Sequence, residues 1–304
     1  VEEAREAMLP FFDERFANPS SAHLFGLSVN ADLIKARAQV AALVGASGDP
    51  ELQLLLTSGG TEALNTAFLS ALDGQPKKRH IVISAVEHGS VLGLAHYYGS
   101  LGYEVSLVPV ESNGSVNLGH YAETIRSDTA LVAMMHANNE TGVIFPIAEL
   151  CRVAHQQGAL FLCDAVASAG KIPLAASDWG VDYLAVAAHK FYGPKGAGAL
   201  FINRDVPFTP LIRGGGQQMG RRAGTEGVAE LVGMGVAADW CLNGLKNNSR
   251  PDQLRNRLEQ LLAQQVTDIR FNGQDAPRLP NTCNVSFKHL SAGTILSALS
   301  ECEV

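Results

Sequence analysis

The sequence predicts an α/β fold: a large domain with a mostly parallel, seven-stranded sheet covered by helices on both faces, then a smaller α+β unit. Three observations predict it. Apolar runs of strand length alternate with stretches of helical periodicity, and the runs are near-continuous, as strands buried on both faces require. Polar residues cluster just after those runs, where sheets of this class carry their functional groups. The polar stretch NGLKNNSRPDQ (243–253) reads as a linker, giving units of 1–245 and 246–304.

The elements follow in order. Residues 52–57 read as the first strand, and SGGTE (58–62) as a Gly-Gly turn into a helix over 61–72. Further strands fall at 80–84, 104–108, 130–135, 159–163, 183–187 and 199–202, with helices at 90–99, 118–126 and 147–157 between them. LIRGGGQQMGRRAGTEG (211–227) is a Gly-rich loop, long enough to expect a function. A helix near 226–242 follows it. Beyond the linker come a helix at 253–265, a strand at 282–287 and a helix at 292–299. These few elements do not cover both faces of a small sheet, so the second unit reads as incomplete. The chain opens on VEEAREAMLPFF without an initiator methionine, and the expectation is a piece of a longer protein.

Composition narrows the function. A net charge of −7 argues against a broad nucleic-acid or anionic-membrane surface. No apolar run reaches the ~18 residues of a membrane span, and the first residues do not read as a signal peptide. The five cysteines (Cys151, Cys163, Cys241, Cys283, Cys302) lie far apart without a CxxC. That is neither a disulfide framework nor a metal pattern; buried thiols in the reducing cytoplasm are expected.

The chemistry lies at the strand ends. SGGTE (58–62), VEHGS (86–90), HANNETG (136–142), CDAV (163–166) and AAHK (187–190) offer Thr, His, Asn, Asp and Lys to one convergent site. The turn into the helix after Gly60 frees backbone N–H groups for a phosphate; Thr61 is either a ligand hydroxyl or an ordinary N-cap. Asp164 is either structural or the partner of a cationic heterocycle nitrogen. His88 is either a cap or a ring-stacking proton carrier. Lys190 closes an apolar strand, and a lysine held in a partly desolvated pocket can form a Schiff base. Neither a P-loop nor a dinucleotide fingerprint is present.

Taken together, TSGGTEALN, VEHGS, HANNETGVIFPI, CDAVASAGKIPL, AAHKFYGPKGAGAL and RRAGTEGVAELVGMG resemble the cysteine desulfurases of the iron–sulfur-assembly and nitrogen-fixation type. These are class V aminotransferase-family enzymes that use pyridoxal 5'-phosphate on an aspartate-aminotransferase-like fold (fold type I). The resemblance runs from residue 17 to residue 287. It implies that Lys190 binds the cofactor covalently, that Asp164 faces the pyridine nitrogen and that His88 stacks on the ring. It implies phosphate contacts from Thr61, the Gly60 backbone and His189. Asn139 matches an asparagine near the ring and the substrate carboxylate. Thr225 matches a threonine that reaches the phosphate of the neighbouring subunit, hence a homodimer with shared sites. The implied reaction takes L-cysteine to L-alanine, moves the sulfur to a loop cysteine and passes it to a sulfur-acceptor or scaffold protein.

Three departures stand out. Ala167 replaces a glutamine that bonds the ring hydroxyl, and Ala187 replaces a serine that binds phosphate. Each removes roughly one hydrogen bond, ~1–3 kcal/mol where a partner stays buried and unpaired. The sulfur-carrying loop cysteine and the arginine that clamps the substrate carboxylate would fall beyond Val304; Cys302 reads as a structural thiol. Selenocysteine lyase or an aminotransferase on the same scaffold remain alternatives. So does a non-catalytic partner or scaffold protein, which Ala167 and Ala187 favour and Lys190, Asp164 and His88 oppose.

Overall fold

A computed structural model describes residues 1–245 and 250–300. The chain opens with α1 (Glu2–Met8) and the long α2 (Leu24–Val44), neither of which was anticipated above. Gly45 ends α2 at φ 71°. A Cβ there would lie 2.6 Å from the Leu174 carbonyl oxygen, so both conformation and space require glycine. Then come α3 (Pro50–Gln53), β1 (Leu54–Thr57), α4 (Gly60–Gly74), β2 (His80–Ser84), α5 (Gly89–Ser100), β3 (Glu104–Val108), α6 (Leu118–Thr124) and β4 (Thr129–Met135). They are followed by α7 (Ile147–Gln156), β5 (Leu160–Asp164), α8 (Ala176–Trp179), β6 (Tyr183–Ala187), β7 (Gly198–Ile202) and α9 (Val228–Leu245). The last elements are α10 (Arg250–Gln265), β8 (Ile269–Phe271), β9 (Val285–Phe287) and α11 (Ala292–Leu299).

The seven strands order as β1-β7-β6-β5-β4-β2-β3. Every pair is parallel except those of β7, which runs antiparallel to both β1 and β6. The reversal has a local cause. The connection over 188–197 is shorter than the dozen or so residues a parallel crossover needs, so β7 returns as a hairpin. Six strands therefore share one direction. Alternate side chains feed two cores. Phe161, Cys163, Leu184 and Val186 face α2, α7 and α9, whereas Leu162, Tyr183 and Ala185 face α4 and α5.

The C-terminal elements lean on the turn after β4. The Pro277 carbonyl accepts from Ile144 N–H at 2.8 Å, and Leu279 N–H donates to the Gly142 carbonyl at 2.8 Å. Arg278 holds Glu259 of α10 through two contacts of 2.6 Å. The strand expected over 282–287 is shorter, Val285–Phe287, so Cys283 lies in a loop and not in a strand. Its partner β8 has three residues, too few to show a period in sequence. The expected linker is helical at both flanks, and its centre, 246–249, lies outside the described residues, as does Cys302. Leu254, Leu258 and Leu296 are exposed on α10 and α11.

Candidate active site

The common direction of six strands brings their carboxyl ends to one edge of the sheet, and a cavity of about 460 Å³ opens there. Five of those strand ends, all but that of β3, contribute. Gly60 and Thr61 come from the turn after β1, His88 from the turn after β2 and Asn139 from the loop after β4. Asp164 is the last residue of β5, and His189 and Lys190 lie on the 3-10 turn after β6. Seven of the eight anticipated residues thus share one space. Thr225 does not: it is exposed and lines a separate hollow with Phe11, Phe12 and Phe16.

The structure places the three residues for which alternatives were left open. Thr61 is not the cap of α4. The N-cap is Gly59, with no side-chain hydrogen bond, and Glu62 folds back to accept from Ser58 N–H at 2.8 Å. Burial works to raise the Glu62 pKa, but its bonds from Arg222 (2.9 and 3.1 Å) and Ser58 win and hold it below the ordinary carboxylate value. The first turn of α4 lines the cavity through Gly60 and Thr61, with no side-chain cap at its N-cap residue. A Cβ on Gly60 would sit 2.8 Å from Val166 Cγ2 and intrude on this wall.

His88 is both cap and cavity residue. Its Nδ1 accepts from Ser90 N–H at 3.2 Å and lies 2.8 Å from Ser90 Oγ, which leaves the exposed ring's Nε2 as the free nitrogen. Asp164 is 6% exposed; its Oδ1 accepts from Val166 N–H at 2.9 Å. Burial raises its pKa, against the Val166 bond and the nearby His88 charge. Burial also lowers the His189 pKa, helped by Lys190 and Lys195.

Sequence reasoning missed four contributors. Glu87, 4% exposed, sits behind the cavity wall. Its Oε1 accepts from Ser84 Oγ (2.6 Å) and Met135 N–H (2.8 Å), while Oε2 has no partner. Asn138 accepts from Glu140 N–H and Thr141 N–H and donates to the Val86 carbonyl, fixing the turn that presents Asn139. Lys171 and the C-terminal residue Thr282 line the cavity itself. Only Lys171 had an available signal, its spacing of one turn from Ala167.

A Cys–His–Asp cluster lies away from this cavity. Cys151 Sγ is 3.7 Å from His155 Nε2, which lies 2.8 Å from Asp182 Oδ2. Burial pushes the Cys151 thiol up to about 12, so this is a packed, inert thiol and not a nucleophile.

Fold and cavity together define a fold-type-I α/β enzyme of the aspartate-aminotransferase-like class. The aminotransferase class-V family profile matches residues 1–304, and the chain belongs to that family. It is 43% identical to the cysteine desulfurase NifS of Azotobacter vinelandii over 301 residues, 99% of this chain and 74% of that protein. A solved NifS-like protein superposes with a TM-score of 0.95 at 35% identity, covering 100% of this chain and 83% of the other. A structure titled SspA in complex with cysteine gives 0.85 at 30% identity, over 99% and 84%. The chain spans about three quarters of the length of the NifS relative.

Proposed function

We infer that this chain is a pyridoxal-phosphate-dependent cysteine desulfurase, converting L-cysteine to L-alanine and passing on the sulfur. The carrying observation is the convergence of Lys190, Asp164 and His88 on one cavity, in a chain 43% identical to NifS over nearly all its length. The residues present fit the cofactor. Asp164 is a buried carboxyl with a single protein N–H on Oδ1 and a raised pKa, which calls for a cation such as a protonated pyridine nitrogen. The uncapped start of α4 with Thr61 and His189 suits a phosphate, and Lys190 is the amine that would bind the aldehyde. Pyridoxal phosphate, when bound, supplies an electron sink.

The chain's own residues do the rest. Asp164 holds the ring nitrogen protonated. His88 keeps Nδ1 engaged with Ser90 and offers Nε2 to a proton. Lys190 supplies a second proton-carrying amine. Leu64, Met135 and Leu279 supply the apolar part of the same cavity's lining. Asn139, whose Nδ2 donates to Glu140 Oε1 at 2.8 Å, is the residue proposed to meet the substrate carboxylate. Sulfur acceptance does not fall to the described thiols. Burial raises all four, Cys151 to about 12, Cys241 to about 11, and Cys163 and Cys283 above the ordinary thiol value. A further thiol or an acceptor protein completes the transfer.

The active form is proposed to be a cytoplasmic homodimer. Thr225 lies on a surface where Phe12 and Phe16 are 66% and 73% exposed, and a second copy would cover that surface and receive Thr225.

Borohydride reduction of the protein incubated with pyridoxal phosphate, followed by peptide mapping, tests the reading. The label is expected on Lys190 and absent from Lys190→Ala. A label elsewhere, or no binding by the wild type, overturns it.

A further inference from the structure

The cavity holds a second lysine. Lys171 is partly buried on its wall, and its Nζ donates to the Ala167 carbonyl at 2.6 Å. Among the described residues it forms no ion pair, and no second hydrogen bond of its ammonium is recorded. An ammonium carries three donors, so two remain for whatever occupies the cavity. Backbone packing fixes the turn that carries Lys171. Gly170, at φ 72°, lies so close to the hairpin that a Cβ would sit 2.7 Å from Phe191 Cβ and 2.8 Å from Cys241 Sγ. Burial lowers the Lys171 pKa, and the Lys190 charge lowers it further; Cys241 is the one opposing influence.

Two lysines lining one cavity, the partly buried Lys171 and the exposed Lys190, favour an anion between them. Ala167, the cavity residue one turn earlier, has no polar side-chain atom to recruit one. In pyridoxal phosphate the phenolic oxygen and the aldehyde stand on adjacent ring carbons. An ammonium that lines the same cavity as the Lys190 amine is therefore available to that oxygen. We propose that Lys171 is a cofactor-binding residue whose ammonium holds the phenolic oxygen of pyridoxal phosphate as an anion. This rests on the cofactor reading above and adds the contact that selects the ring oxygen.

The test compares affinities, not turnover. Equilibrium dialysis of the purified 304-residue protein is run with pyridoxal phosphate and with 3-deoxypyridoxal phosphate, which lacks only the phenolic oxygen. A charge-assisted hydrogen bond corresponds to a preference of about tenfold or more for the natural ring. The wild type is expected to show that preference. Lys171→Met should reduce it to within about twofold, and Lys171→Arg should keep most of it. Should Lys171→Met fail to fold, Lys171→Gln carries the same comparison. An undiminished preference in the folded variant overturns the proposal. So does borohydride fixation of the cofactor on Lys171 in place of Lys190. Failure of the wild type to bind either ring sinks the cofactor reading, and this proposal with it; that failure shows in the wild type, whereas failure of the Lys171 proposal alone shows only in the variants or in the position of the label.

Discussion

Glu87 is a residue whose protonation at neutral pH the fold reverses. Full burial, with Asp164 nearby, raises its pKa to about 8, against its bonds to Ser84 and Met135. The folded state therefore keeps this carboxyl protonated at neutral pH while the unfolded chain ionises it near the ordinary value. The folded state then binds the extra proton, so stability falls as pH rises from about 4.5 to about 8. A neutral amide has nearly the same shape. Glu87→Gln is expected to flatten that slope and to be at least as stable as wild type at pH 8. Glu87→Ala should cost ~1–3 kcal/mol, because Met135 N–H and Ser84 Oγ lose their acceptor. Urea unfolding of the three proteins at pH 5.5 and pH 8 checks both; an unchanged slope in Glu87→Gln would place the titration elsewhere.

The element that shapes the phosphate end is the junction of β1, α4 and β7. Gly198 opens β7 directly under the Gly59–Gly60 turn, and a Cβ there would lie 2.6 Å from the Gly59 backbone. No side-chain movement relieves a clash with backbone, so the turn itself has to shift. From the other side, the Gln218 amide pairs with both backbone groups of Leu56, at 2.8 Å each, acting as a one-residue neighbour to β1. Gln218 adopts φ 48° to do so. Gly198→Ala is expected to cost ~1–3 kcal/mol by overpacking and to weaken pyridoxal phosphate binding by about tenfold. Gly93→Ala is the control. Its Cβ meets nothing within 4 Å, it lies inside α5, and it should be neutral or slightly stabilising. Thermal melts and a cofactor titration separate the two. Equal binding by both variants would dissociate the turn from the phosphate.

At the scale of the whole molecule, the protomer gathers seven anticipated residues and leaves Thr225 outside. If a second copy receives Thr225, a site takes Lys190 from one subunit and Thr225 from the other. Homodimers of Lys190→Ala should fix no cofactor, and those of Thr225→Val should bind it about tenfold more weakly, the value of one phosphate hydrogen bond. A mixed dimer of the two has one doubly damaged site and one intact site. It is expected to fix one cofactor per dimer with wild-type affinity, measured after co-expression with two tags. A protein that sediments as a monomer and still binds cofactor normally removes the shared site.

The sequence by itself determined the alternation of buried strands with helices and, through it, the convergence of Gly60, Thr61, His88, Asn139, Asp164, His189 and Lys190. Strand ends are local features, and a parallel sheet must align them. Even the reversal at β7 is written in the short 188–197 connection. Only the tertiary structure decided what depends on partners distant in the chain. Thr61 reads as cap or ligand until Glu62, held by Arg222 from the far loop, accepts from Ser58 N–H. Glu87 carries no local signal of burial; β2 and β4 close around it and remove its water. Lys171 lines the cavity only because the turn at Gly170 packs on Phe191 and Cys241 from distant elements. Burial and charge proximity are sums over neighbours from several elements, and no local pattern in the chain contains those sums.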